Sequence, residues 1–536
     1  MAHRGMFGRP PAAPASGWLA SAAAAPLLAV LVAALVAALP GPAGAQDTQT
    51  KQYDDGSVYE GSFVDGLPDG TGTFRLPSGY EYSGEWQAGE PRGRGIARYP
   101  SGAVYEGEFA GGKPQGRGRI THPDGGSYDG TWTDGRMTGQ GIARYADGTV
   151  HEGAFVDGLR QGPGVMQQAG GYRFEGTWVA GVMEGAGRIT YPDGAVYDGN
   201  LVAGQRQGRG RLTTPDGLTY EGDWQAGQIS GTGRLAHANG DVYEGPLVNG
   251  RRQGQGVLTY ASGAVYRGGF VDDRREGQGS FTGPDGLAYE GDWTAGRIEG
   301  QGHMTWSDGS VYEGAFRADL PDGEGRMTWP DGSVYEGTWA AGAIEGQGTA
   351  SYPDGTRYAG GFRAGLPQGT GRMTWPDGTT YEGDWDAGQR TGRGRSSYPD
   401  ASVYEGDFAD GIRQGRGIFV RTDGYRYEGD WVAGLPEGQG RETYATGEVY
   451  DGGFVAGQRS GTGALRYADG QTSAGRWSAG LLTGPPPGAA EGADAGAAGG
   501  AEANAAPDAA PDAAPDAGPD PAPGSDPRPD PEPAAP

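Results

Sequence analysis

A single spacing governs most of this chain. Tyr59, Tyr82, Tyr105 and Tyr128 stand 23 residues apart, and His151 and Phe174 hold the next two places. The phase continues through Tyr197, Tyr220, Tyr243, Tyr266, Tyr289, Tyr312, Tyr335, Tyr358, Tyr381, Tyr404, Tyr427 and Tyr450 to Ser473. With the tyrosine as phase 0, nineteen phases pass without insertion or deletion. Gly holds +2 and +11 in all nineteen, +13 in eighteen, +7 in seventeen, and the position three before phase 0 in eighteen. Trp or Phe holds +4 in seventeen, with Leu201 and Leu247 as exceptions. An unbroken short period means that each unit buries its apolar face only against its neighbours. Ordinary globular domains are excluded over this stretch.

Composition supports the same reading once the period is known. The 110 glycines in 536 residues would suit collagen or a flexible linker. Collagen needs Gly at every third residue, and no such period occurs. A linker is poor in aromatics, whereas this chain has 28 Tyr and 13 Trp. The five glycine phases account for 91 of the 110 glycines. A longer period overlies the first. Phase +4 alternates Phe63, Trp86, Phe109, Trp132, Phe155 and Trp178, and resumes from Phe270 as Trp293, Phe316, Trp339 and onward. The units are therefore paired at 46 residues, with an irregular stretch near 247–270, as duplication of a two-unit block would leave them.

Each unit reads as a β-hairpin. Val-Tyr-Glu-Gly-x-Trp/Phe alternates large and polar residues, the period of a half-buried strand. A turn over Val64–Gly70 and a second strand from +12 to +17 follow, and Trp329-Pro330-Asp331-Gly332 marks the second turn. The spacing predicts pairing of +4 with +13, +2 with +15 and 0 with +17. Rings would then lie over cross-strand glycines. The other face is polar: +1 is acidic in fifteen of nineteen units, and Arg recurs at +14, where it is expected to face +3.

Units such as Tyr289-Glu290-Gly291-Asp292-Trp293, Gly296, Gly300-Gln301-Gly302, ending Asp308-Gly309-Ser310-Val311, resemble MORN repeats. The resemblance covers residues 50–484, with departures at His151, Leu201, Leu247, Asp273, Asp319 and Ala401. It implies an all-β fold: an elongated, twisted, single-layer antiparallel sheet of about nineteen hairpins, solenoid-like. It also implies a module for protein interaction or self-association. At about 4.8 Å per strand, nineteen hairpins would reach roughly 180 Å along a flat sheet.

The ends differ from this array. Residues 1–45 read as a signal peptide: Arg4 and Arg9, then the apolar Pro26–Leu39, then Ala43-Gly44-Ala45 as a cleavage site after Ala45. An uncleaved anchor over Trp18–Leu39 is the alternative. Export to the periplasm or cell envelope follows from the leader. The array is assigned to 46–484. A Pro/Ala/Asp-rich tail, 485–536, has no aromatics and is expected to be disordered. The net charge of -26 divides into about -19 for the array, -9 for the tail and +2 for the leader. Such a field repels nucleic acid, so none is expected as a partner.

Residue types exclude most chemistry. There is no Cys, and five His and two Lys leave little for catalysis. No phosphate-loop or kinase motif occurs. The acids recur by phase, whereas an active site should break the pattern. The expectation is a non-enzyme with no cofactor and no metal, acting as an exported scaffold. A ring-rich face would bind a protein partner or a second copy, forming an elongated dimer or larger assembly. The candidate binding residues are Trp86, Trp132, Trp178, Trp224, Trp293, Trp339, Trp385, Trp431, Tyr289, Tyr312, Tyr335 and Tyr381. A lipid surface and cell-wall carbohydrate are the alternative partners. The negative charge weighs against anionic lipid.

Overall fold

The computed structural model describes residues 48–488. The leader assigned to 1–45 and the tail, save its first four residues, lie outside the described residues. Within them the chain is all-β: forty strands and no helix. The chain divides into two units, one ending at Ala261 and the other beginning at Ser262. Each is an antiparallel meander in which strands contact their chain neighbours. The first opens with Gln49–Gln52 against Val58–Val64. The second closes with Thr472–Ser478 against Leu481–Gly484.

One hairpin explains the others. Val58–Val64 pairs with Leu67–Arg75 across a two-residue turn in which Asp65 (φ 53°) and Gly66 (φ 77°) are both left-handed. This is a type I′ turn, whose twist matches that of the strands. Ala takes the first of these positions in many later units, as at Ala88 (φ 50°). Neighbouring units hold it there. The Ala88 N–H donates to Asp69 Oδ2 at 3.0 Å, and the Gly89 N–H donates to the Pro68 carbonyl at 2.8 Å. The turns are thus stitched one to the next along that edge. The opposite edge carries the wider turns. The Trp329 N–H donates to Ser333 O, the Gly332 N–H returns to Trp329 O, and Asp331 Oδ1 accepts from the Ser333 N–H at 2.8 Å.

The register differs from the expected one by two residues. Tyr59 pairs with Phe74 on one side, and Phe74 pairs with Tyr82 on the other. Gly61 pairs with Gly72, and Gly72 with Gly84. Phase 0 therefore faces +15, and +2 faces +13. The cause is the first turn, which takes two residues rather than the seven of Val64–Gly70. The surplus forms a bulge in which residues 69–71 stand opposite Ser62, with Gly70 at φ 92°. Phase +17 accordingly begins the second turn instead of pairing with the next tyrosine.

The corrected register changes what the glycines do. A Cβ on Gly72 would lie 2.2 Å from Tyr59 Oη, and one on Gly61 would lie 2.5 Å from it. The tyrosine ring therefore lies flat over the +2/+13 glycine pair, and its hydroxyl donates to the Ser62 carbonyl at 3.1 Å. The same bond recurs from Tyr82 to Glu85 O and from Tyr312 to Ala315 O. Most +4 rings stand edge-on between two tyrosines, their own and the preceding one. Trp86, for example, has centroids 5.3 Å from Tyr82 and 5.0 Å from Tyr59. Such edge-to-face pairs add about 0.5–1.5 kcal/mol each beyond area burial.

Candidate interaction surface

The twelve rings expected to bind a partner form the interior of this ladder. Trp86, Trp132, Trp178, Trp224, Trp293, Trp339, Trp385 and Trp431 are only 2–7 % exposed, and Tyr289, Tyr312, Tyr335 and Tyr381 0–2 %. Within each unit they stand in a row but present almost no open ring surface. Several indoles are also tied to the main chain. The Nε1–H donates to Gly72 O from Trp86, Gly118 O from Trp132, Gly210 O from Trp224 and Gly371 O from Trp385, at 2.9–3.1 Å. Trp178 and Trp339 have a buried Nε1 without a partner. The structure's reason is steric: each of these indoles is clamped by two phase-0 rings, tyrosines except at Trp178, where they are His151 and Phe174, and lies beside the +11 glycine of the previous unit, as Trp86 lies beside Gly70.

Phase +9 covers these rings from the same face. Where it is Arg and the next +4 ring is Trp, the guanidinium stacks on that indole: Arg160 on Trp178 at 3.9 Å, Arg206 on Trp224 at 4.1 Å and Arg275 on Trp293 at 4.2 Å. This cation–π row depends on the observed register, which sets +9 beside the +4 ring of its own unit. In other units +9 is Met, Ile, Leu or Pro, and it is Pro at Pro68 and Pro91. There a groove of about 790 Å³ opens, lined by Tyr53, Pro68, Phe74, Tyr80, Pro91 and Tyr99. Burial raises the Tyr80 phenol to about 12, so it stays a hydrogen-bond donor near neutral pH.

The apolar surface that is open lies on the other face. Phases +5 and +8 flank the tight turn and project with the acidic +1 row. On three consecutive hairpins they are Val156 and Leu159, Val179 and Val182, and Val202, 44–51 % exposed. Leu159 reaches toward the next turn, its Cδ2 3.9 Å from where a Cβ on Gly181 would lie. A run of exposed aliphatics across adjacent hairpins is the kind of patch that marks a contact surface. The signal was present in the sequence as apolar +5 and +8 residues in successive units.

The charges on this face pair differently from expectation. Phase +14 meets +1, not +3: Arg441 Nε lies 2.6 Å from Asp451 Oδ1, with Nη2 3.0 Å from Oδ2. Phase +3 meets +12, as in Arg209 with Asp223 at 3.2 Å. These pairs are solvent-exposed and worth about 0–1 kcal/mol each. Among the described residues no group of three or more His, Asp or Glu could hold a metal ion. No helix among them is long and apolar enough to cross a membrane.

Hairpins that contact chain neighbours, pack their rings inward and leave an aliphatic strip outside define a repeat-built interaction or scaffold module. The MORN repeat matches eighteen segments in succession, from 59–79, 82–104 and 105–127 onward to 404–424, 427–449 and 450–472. The chain belongs to the MORN-repeat family, whose repeats are in general non-enzymatic. No curated protein matches it. Among solved structures it is similar to the wild-type TCP10 domain of Danio rerio CPAP in complex with a peptide of Danio rerio STIL. That match has 14% identity over 54% of this chain and 97% of the other, with a TM-score of 0.17. The SAS-4 TCP domain of Drosophila melanogaster with a proline-rich motif of Ana2 gives 11% identity, 44% and 97% coverage and a TM-score of 0.15. A streptogramin B lyase structure gives 12% identity, 54% and 90% coverage and a TM-score of 0.10. At such scores these likenesses carry no argument about fold or function.

Proposed function

We propose that this chain is an exported, non-catalytic scaffold that self-associates through the aliphatic strip at Val156, Leu159, Val179, Val182 and Val202. One observation carries the reading. The phase-0 and +4 rings are consumed inside the ladder, and among the exposed aliphatics of the opposite face this strip runs over three consecutive hairpins. Covering it with an identical strip removes water from both copies, and a two-fold contact of this kind is self-complementary. The acidic +1 row beside it sets the limit on how the copies meet, because like charges facing each other oppose association. Export rests on the leader read at 1–45.

Sedimentation velocity of the mature chain, beside a Val179→Asp/Val182→Asp variant, tests this. The parent is expected to sediment as a dimer or larger species, and the variant as a monomer with unchanged β-sheet circular dichroism. A parent that stays monomeric at concentrations of about 100 μM, where weak but specific contacts still show, sinks the reading.

A further inference from the structure

The corrected register places two arginine environments in exact 46-residue correspondence, and one of them lacks a part. In the first, Glu442 is 4 % and Arg459 7 % exposed, so both charges are buried. Arg459 Nε lies 2.7 Å from Glu442 Oε2, the Tyr425 hydroxyl donates to Oε1 at 2.8 Å, and the Tyr444 hydroxyl donates to Oε2 at 2.9 Å. Arg459 Nη2 also donates to Tyr444 Oη at 2.6 Å. The carboxylate is thus fully satisfied, as a buried charge must be.

Forty-six residues earlier the same positions hold Arg413, Ser396, Tyr398 and Thr379. The backbone is equivalent. Ser396 pairs with Tyr381 and Tyr404 as Glu442 pairs with Tyr427 and Tyr450. Arg413 pairs with Phe408 as Arg459 pairs with Phe454. The chemistry is not equivalent. Ser396 is 0 % and Arg413 4 % exposed, and Ser396 Oγ and Arg413 Nε are both buried without a hydrogen-bond partner. Arg390, on the preceding hairpin, is 7 % exposed and has a buried, unpartnered Nε as well. Ser396 ends in a hydroxyl where Glu442 extends a methylene and a carboxylate, and Thr379 lacks the ring that Tyr425 supplies. Rings near Arg413, Trp431 at 4.7 Å and Tyr404 at 5.6 Å, soften the cost of its charge but accept no N–H in the guanidinium plane.

We infer that Arg413 and Ser396 form a binding site for a small free monocarboxylate seated where Glu442 places its head group. The anion accepts from Arg413 Nε–H and the Ser396 hydroxyl and neutralises a buried guanidinium, which is the chemistry of the Arg459 site with the carboxylate supplied from solution. Phosphate is disfavoured, because it brings a second negative charge and more oxygens than these donors satisfy.

The test uses the full chain with formate as the probe, replacing chloride at constant ionic strength. Amide hydrogen exchange is followed in strands Gln389–Ser397 and Ile412–Val420. At formate ten times its dissociation constant, exchange by local opening there should slow roughly tenfold, with no change in Leu435–Thr443. Ser396→Glu supplies the carboxylate covalently, so its strands should be protected without formate and unresponsive to it. Arg413→Met should lose the response. No difference between formate and chloride in the parent overturns the site. So does an equal response in Ser396→Glu, which would place the anion elsewhere.

Discussion

In residues 262–488 the row of rings is continuous: from Tyr266 to Trp477 every tyrosine touches its own +4 ring and the next. In residues 48–261 the row is interrupted by Leu201 and Leu247 and thinned at His151. The second unit departs from the pattern elsewhere. Asp273 (φ 71°), Asp319 (φ 72°) and Ala401 (φ 62°) occupy left-handed positions that other units give to Gly. It also buries the Glu442–Arg459 pair. One unit therefore relaxes its side-chain packing, and the other relaxes its backbone and bears buried charge. A nearest-neighbour array tolerates both, because a defect in one hairpin is felt only by the hairpins beside it.

The largest expected effect breaks the charged side of this contrast. Glu442→Ala leaves Arg459 buried without its carboxylate and should cost about 3–5 kcal/mol locally. Hydrogen exchange in Leu435–Thr443 and Gln458–Arg466 reads it. The double variant Glu442→Leu/Arg459→Met should recover most of the loss, since no charge is then stranded.

A middle-sized effect concerns the packing side. His151 is 0 % exposed, its ring nitrogens have no partner, and burial, reinforced by the Arg160 charge, lowers its pKa to about 4. The folded value lies below the ordinary 6.5, so between these values the unfolded chain takes up a proton that the folded chain refuses. Stability is whole above pH 6.5 and falls as pH drops toward 4, by up to about 3 kcal/mol. His151→Tyr should remove that component and add about 1 kcal/mol at pH 7 by restoring the hydroxyl bond to the +3 carbonyl. Urea unfolding of parent and variant from pH 7 to pH 4 checks both. A parallel pH dependence would count against the burial of a neutral imidazole.

The smallest effect is on the backbone side. Ala401→Gly should stabilise its turn by about 0.5–1 kcal/mol, since glycine holds φ > 0 without a Cβ clash. Local exchange around Tyr398–Ser402 measures it. The same change at Asp319 should gain less, because Asp319 Oδ1 accepts from the Ile298 N–H at 2.7 Å and glycine would forfeit that bond.

The period, the two-stranded unit, the second turn and the ring face were legible from spacing alone, whereas the first turn is shorter and the second strand begins earlier, at Leu67, than the spacing suggests. The register was not. Gly66 and Gly70 both read as turn residues, yet one makes the turn and the other a bulge. The residue that decides between these readings is Asp65 or its Ala counterparts, and Ala rarely signals a left-handed conformation. The register governs the rest. The Arg-on-Trp stacks, the Glu442–Arg459 pair 17 residues apart and the unpaired Arg413 all depend on which residues face each other. The candidate surface moved for a simpler reason: alternation places a ring on a face, but only packing tells whether its neighbours cover it.

The shared clamp on each +4 ring bears on how such a gene can change length. Tyr289 touches Trp293 and then Phe316. Excising residues 312–357 would bring Phe362 to the place of Phe316, so the tyrosine would meet the same kind of ring as before. Excising 312–334 alone would put Trp339 on the far side of Tyr289 from Trp293, an indole in a slot that holds a phenyl ring. Recombination between repeats is thus invited in steps of two and resisted in steps of one, which makes the clamp a record of heredity as well as a source of cohesion.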